Sequence, residues 1–316
     1  MDTKKISVVV PVKNGMDTLE RFIDGIKKQT LFDALELIIV DSGSNDGSVN
    51  YLSALPFVKL VSIDPKTFNH GATRNLAVTH CNGDFILMTV QDAWTTDAKL
   101  LERMVNHFKD DETVGVCGYQ VVPKIKGYNP HQWFRPQNVP KPKVVQFKDG
   151  AFNNLSPKEK YENCGWDNVI AMYRASTLKK IPFAATSFAE DMLWAKEVLG
   201  KGYKIVYDHR NRVNHYHHRF PDYIYKRIFI ELYSIYKHFG YKMDMSVTNN
   251  MYIKILIRNI KWKLKPYWFF FNVRALKARQ RANTIFTEAL QYGDKHLDKV
   301  YAEVCGTIPQ GKTIKN

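Results

Sequence analysis

The sequence predicts an open α/β fold, a mostly parallel sheet flanked by helices, with a helical C-terminal extension. Three observations carry that prediction. Branched apolar runs alternate with amphipathic stretches over the first two thirds of the chain, the signature of consecutive βαβ units. From about Pro221 the pattern changes to long helical stretches rich in Tyr, Phe, Ile and Lys. The charge divides at the same place: of a net +15, residues 219–316 hold +11 and the first 218 residues +4. The expected division is therefore an α/β domain over 1–220 and a basic, aromatic-rich helical region over 221–316.

Ile6 to Val12 and Leu35 to Val40 read as buried strands, each followed by polar turn residues. Between them Leu19, Phe22, Ile23 and Ile26 fall at i, i+3, i+4 and i+7, the apolar stripe of a helix. Such a unit crosses over right-handed. The alternation continues through a strand near 57–63, a helix near 71–80, a strand from Phe85 to Val90, a helix near 97–109 and a strand near 114–122. Residues 123–150 carry five prolines and little periodicity, so a long surface excursion is expected there. Asp167 to Arg174 then reads as a strand, Ala189 to Leu199 as a helix closed by Gly200 or Gly202, and Lys204 to Tyr207 as a short final strand.

Composition removes several classes of function. The four cysteines, Cys81, Cys117, Cys164 and Cys305, are scattered without C-x-x-C spacing, which indicates neither a zinc cluster nor a disulfide framework and suits a reducing compartment. The first 30 residues lack the apolar core and small-residue cleavage site of a signal peptide, so a cytoplasmic protein is expected. Basic charge suits nucleic acid, anionic lipid or phosphorylated substrates, and does not by itself choose among them.

Acidic, basic and imidazole side chains stand at predicted element ends. The strand Phe85 to Val90 delivers Asp92, after Gln91, to the sheet edge where open α/β folds bind ligands and metals. One carboxylate is an incomplete site for Mg²⁺ or Mn²⁺. The second strand leads into Asp41-Ser42-Gly43-Ser44-Asn45-Asp46-Gly47-Ser48, which lets backbone approach a ligand while Asp41 accepts a hydrogen bond from a base or ribose. Alternatively it is an Asx turn capping the next helix. It has neither G-x-G-x-x-G spacing nor a Gly-Lys-Ser/Thr ending. Phe68 to Asn75 opens a helix with His70 and Arg74 in its first turns, suited to a diphosphate or a pyrimidine face. Glu190 and Asp191 start another helix, and Asn214-His215-Tyr216-His217-His218 follows the last strand, where alternate imidazoles suit Mn²⁺ better than Mg²⁺.

Together, Asp41 after a strand, Gly71 to Asn75, Asp92 after a strand and Glu190-Asp191 before a helix resemble family 2 glycosyltransferases, inverting enzymes of the nucleotide-diphosphosugar transferase (GT-A) fold. The resemblance covers about residues 5–220. The run Phe68 to Asn75, with the Gln-Asp-Ala ending, looks most like bacterial rhamnosyltransferases that use dTDP-L-rhamnose for surface polysaccharides. It implies that Pro11, Val12 and Asp41, with Ser42, line the pyrimidine pocket and that Arg74 lies against the nucleotide. His70 touches donor sugar or diphosphate, or fixes the loop. Asp92, beside Gln91 in place of a further acid, would bind the divalent cation (Mn or Mg), with His215 as another ligand and His217 as the alternative. Asp191 is the implied base and Glu190 its acceptor-positioning or structural neighbour. The implied acceptor is a glycan on a polyprenyl lipid, used at the cytoplasmic face of the plasma membrane. A UDP-hexose-dependent family 2 enzyme is the alternative, whereas a sugar nucleotidyltransferase would need a Gly-rich start that Val10 to Gly15 lacks.

Between Met245 and Thr287 there are nine Lys and Arg and no acid, interleaved with Trp262, Tyr267, Trp268, Phe269, Phe270 and Phe271. This mixture suits peripheral attachment to an anionic membrane surface. Packing on the catalytic domain or a homodimer contact is the competing expectation. A nucleic-acid-binding module would use the same tail but leaves Asp41, Asp92 and Asp191 unexplained, so no nucleic acid is expected.

Overall fold

In the computed structural model, residues 6–132, 141–186 and 188–306 are described. They divide into two compact units, 6–121 with 141–215, and 122–132 with 216–306.

The first unit is built on one eight-stranded sheet. Its strands are β1 (Ile6–Val12), β2 (Leu35–Asp41), β3 (Val58–Ser62), β4 (Phe85–Thr89), β5 (Thr113–Val121), β6 (Lys143–Val145), β7 (Ile170–Arg174) and β8 (Lys204–Asn214), in the order β3-β2-β1-β4-β7-β5-β8-β6. β1, β2, β3 and β4 run parallel, as do β5 and β8, while β7 pairs antiparallel with β4 and β5, and β6 antiparallel with β8. The helices are α1 (Met16–Lys27), α2 (Ser48–Ser53), α3 (His70–Thr79), α4 (Leu100–Asn106), α5 (Pro157–Asn163), α6 (Ala175–Lys180) and α7 (Glu190–Gly200). The core is aliphatic: β1 and β2 contribute Val8, Val10, Leu37 and Ile39, and α1 docks Leu19, Phe22, Ile23 and Ile26, the stripe its spacing predicts.

Three local differences from the sequence reading have physical causes. The final strand does not stop at Tyr207 but runs to Asn214, because β5 resumes pairing past a bulge with Tyr119 opposite Arg212. Its polar residues look like a loop, yet Asp208 is buried against His107 and Arg210, and Asn211 accepts from Arg103. The helix near 97–109 narrows to α4 and ends in a 3-10 turn, His107–Lys109. Within 123–150, Lys143–Val145 pairs as an edge strand and Pro130–Gln132 forms a 3-10 turn, while 133–140 lies outside the described residues.

The second unit contains α8 (Pro221–Phe239), α9 (Asn249–Lys261), α10 (Pro266–Gln291) and α11 (Asp294–Cys305). Phe229 of α8 meets Phe286 of α10 edge-on, and Tyr233 stacks on Tyr301 of α11 at 4.0 Å. The 122–132 segment is fastened to these helices by two hydrogen bonds exchanged between the Asn129 and Asn272 side-chain amides and by a hydrogen bond between His131 and Asn259. Among the described residues no helix is long and apolar enough to cross a membrane.

Candidate active site

In a sheet of this topology the C-terminal ends of β1, β2, β4, β5 and β8 share one edge, and reversed β7 begins at that same edge. Every candidate of the first unit collects there or on the helix starts beside it. Asp41 ends β2 and is 3% exposed. Its Oδ2 accepts from the backbone N–H of Gly43 (2.9 Å) and Ser44 (3.1 Å), a turn that Gly43 makes at φ +85°. Asp41 Oδ1 is buried with no partner among the described residues, a desolvated acceptor suited to an N–H donor from a base. The same turn also serves the fold. Asp46 accepts from Ser48 before α2, and reaches across to cap Met16 N at the start of α1. Ser42 donates from Oγ and N to the Val12 carbonyl, and the Val12 side chain is in the core. Pro11 sits beside them in β1, in register with Val40.

Gln91 holds this loop. Its amide accepts from Lys13 N (2.8 Å) and donates to Lys13 O (3.1 Å), so both polar atoms are engaged with backbone rather than directed to a ligand.

Asp92 is placed by backbone. Trp94 and Asn214 exchange two hydrogen bonds, and His215 N donates to Val121 O, which sets the end of β8 between β5 and the Asp92 turn. His215 Nε2 thereby lies 3.4 Å from Asp92 Oδ1. A chain of polar residues sets the ring's tautomer. Asp167 only accepts, so Gln120 presents Nε2 to it and Oε1 to His215 Nδ1 at 2.8 Å; that nitrogen carries the hydrogen. With Nδ1 so engaged, Nε2 faces the Asp92 carboxylate, an arrangement that a cation between the two would stabilise. The residues present therefore fit a divalent metal. His217 follows two residues on, in the irregular segment that opens the second unit.

The motif Asn69 to Asn75 fastens α3 to the segment that carries the acidic pair. Asn69 caps α3 by accepting from Ala72 N. Gly71 is required because a Cβ there would stand 1.9 Å from the Ala184 carbonyl oxygen. Asn75 exchanges two hydrogen bonds with the Phe183 backbone. Arg74 is 4% exposed and its Nη1 donates to Glu190 Oε1 at 2.8 Å in a buried ion pair, while its Nε is buried with no partner among the described residues. His70 is exposed at the helix start, with Nδ1 3.4 Å from the Arg74 guanidinium. Glu190 also accepts from Asn168 Nδ2 and is thus a structural anchor of α7.

Asp191 has a different environment. Oδ2 accepts from Asn168 N and Oδ1 from Met192 N. Burial, reinforced by the neighbouring charges of Glu190 and Asp167, pushes its carboxyl up to about 7, against the lowering effect of the Asn168 bond and Arg74. A carboxylate tuned near neutrality is suited to accept a proton. Ala189, immediately before the pair, is left-handed at φ +66°, an uncommon conformation for alanine that aims the first turn of α7. Ser187 lies outside the described residues. Gln120, Asp167 and Asn168 have no part in the sequence reading; each sits at a strand end where a polar residue also fits an ordinary turn.

Residues 7–178 match the family Glycosyl transferase family 2. The chain belongs to glycosyl transferase family 2. This family 2 glycosyltransferase is 32% identical over 233 residues to the O-antigen chain rhamnosyltransferase RfbN of Salmonella typhimurium, covering 71% of this chain and 70% of that protein. It is 30% identical over 232 residues to the O-antigen chain rhamnosyltransferase WbaN of Salmonella anatum, with the same two coverages. Among solved structures, the mannosyltransferase PcManGT from Pyrobaculum calidifontis, in complex with GDP-Man and Mn²⁺, superposes with a TM-score of 0.53 at 16% identity, over 96% of this chain and 80% of that one. That likeness shows the GT-A fold.

Proposed function

We propose that this glycosyltransferase moves L-rhamnose from dTDP-L-rhamnose to a hydroxyl of a polyprenyl-lipid-linked glycan, with inversion, in the synthesis of a bacterial surface polysaccharide. Likeness to RfbN and WbaN supports the sugar and the pathway. The observation that carries the chemistry is a carboxylate raised to about 7, Asp191, joined through the adjacent residues Asn168 and Asp167 and through Gln120 to the His215 and Asp92 pair. In this reading the base and the leaving-group site are neighbours at one edge of the sheet, linked by hydrogen bonds as far as His215.

In this reading Asp41 Oδ1 accepts the N3–H of the thymine, and Ser42, Val12 and Pro11 bound its pocket. Asp92 and His215, with His217 next along the same run of chain, hold a divalent cation, Mn²⁺ being favoured by imidazole. When bound, the cation neutralises charge developing on the departing diphosphate. Asp191 takes the proton of the acceptor hydroxyl. The bond from that oxygen to the anomeric carbon forms as the bond to the diphosphate oxygen breaks, through an oxocarbenium-like state. The Arg74–Glu190 pair fixes α7, so that Asp191 keeps its place while its charge changes.

A panel of nucleotide sugars, assayed for donor hydrolysis and thermal stabilisation with and without Mn²⁺, tests the donor and the metal together. The expected outcome is selective stabilisation by dTDP-L-rhamnose, enhanced by Mn²⁺, and an α-L-rhamnoside product by NMR. A β-L-rhamnoside, or selective use of a UDP-hexose, would overturn the reading.

A further inference from the structure

Of the aromatic run that opens α10, Tyr267 and Phe270 are exposed, Trp268 and Phe269 half-buried and Phe271 buried. A continuous exposed ridge is aliphatic and lies on α9, where Ile253, Leu256, Ile257 and Ile260 follow the i, i+3, i+4, i+7 spacing of one face. Ile257 is 56% and Ile260 69% exposed, whereas Ile255 and Asn259 on the opposite side are buried. Lys254 and Lys261, both exposed, flank the ridge. Water-facing isoleucines in a row are costly to a soluble surface and mark a contact face.

From this we infer that the outward face of α9 docks the enzyme on an anionic lipid bilayer, an inference that rests on the lipid-linked acceptor proposed above. Charge selects this occupant. The stretch from Met245 to Thr287 contains nine basic residues and no acid, so a second copy of the chain would set like charge against like. An anionic bilayer offers headgroup charge to the lysines and hydrocarbon to the isoleucines at once. Helix length agrees: thirteen residues span about 20 Å, well short of the ~30 Å hydrocarbon core, so α9 lies in the interface plane.

The test uses the full chain, sedimented with phosphatidylcholine vesicles that contain or lack phosphatidylglycerol, beside the double variant Ile257→Glu, Ile260→Glu. Both positions are exposed, so the fold is expected to tolerate the change. Wild type should bind the phosphatidylglycerol vesicles in a salt-sensitive manner and bind pure phosphatidylcholine weakly. The variant should lose roughly tenfold or more in partitioning, through two buried side chains and two added negative charges. Donor hydrolysis by both proteins should be equal, which separates a failure of docking from a failure of the transferase reading. The inference is overturned if wild type ignores anionic vesicles. It is also overturned if neutral Ile257→Ser, Ile260→Ser binds as well as wild type, or if the substitutions dissociate a dimer without affecting vesicle binding.

Discussion

Replacing Asp191 by Asn separates the proton-accepting role proposed for this carboxylate from its cost to the fold. The carboxyl is raised from an ordinary 3.8 to about 7. The folded state therefore holds a proton that the unfolded state has released between those values, and stability falls as pH rises from about 4 to about 7. A rise of about three pH units corresponds to about 4 kcal/mol at roughly 1.4 kcal/mol each, and sharing with Glu190 and Asp167 makes that an upper bound. Asn removes the charge but keeps only one acceptor for the two backbone N–H groups of Asn168 and Met192, at a cost of about 1–3 kcal/mol. The balance is a gain of at most about 1–3 kcal/mol above pH 7 that turns into a loss of about 1–3 kcal/mol near pH 4. Turnover should fall about 10²–10⁴-fold, the usual contribution of a general base. Thermal denaturation across pH, dTDP calorimetry and turnover measure the three quantities. Wild-type turnover should rise through pH about 7 as the base deprotonates. A flat rate profile through neutrality, or loss of dTDP binding in the variant, would refute the assignment.

Other substitutions probe the supports of the site. Arg74→Ala leaves Glu190 buried and unpaired and should cost about 3–5 kcal/mol in urea unfolding; a loss below about 1 kcal/mol would mean that the pair is not an anchor. Gln120→Leu releases the His215 ring and should weaken Mn²⁺ binding about 10–100-fold by calorimetry, with the fold retained by circular dichroism. Unchanged Mn²⁺ affinity would remove the imidazole from the metal site. Gly71→Ala forces the Ala184 backbone away and should lower Tm by several degrees, consistent with about 1–3 kcal/mol of overpacking. Asp41→Asn should weaken dTDP binding about tenfold or more while leaving Mn²⁺ binding intact, since the proposed reading gives its buried Oδ1 acceptor to the base alone.

Local periodicity makes the sheet readable. The α1 stripe and the branched runs of β1, β2 and β4 are complete within short windows of sequence, and each strand leads to a residue whose charge or polarity stands out against its apolar run. Asp41, Asp92 and the Glu190-Asp191 pair are legible for that reason. The pairing of Arg74 with Glu190 is not, because 116 positions separate them and an arginine on a first helical turn suits a phosphate equally well. Gln120 and Asp167 are hidden for another reason: neither is unusual at a strand end, and their meaning arises only when β7 inserts between β4 and β5. The exposed ridge of α9 has a regular helical spacing, but the aromatic run of α10 is the denser apolar signal, and sequence does not say which of the two faces water.

The reversal of β7 has an architectural consequence. β5 and β7 are antiparallel neighbours, so β5 ends and β7 begins at one edge of the sheet. Between β6 and β7 the described chain lies outside the sheet and carries α5. Lengthening such a connection costs only about 0.6 kcal/mol per doubling. It can therefore grow without disturbing the pairing of β4, β7 and β5 on which the frame rests.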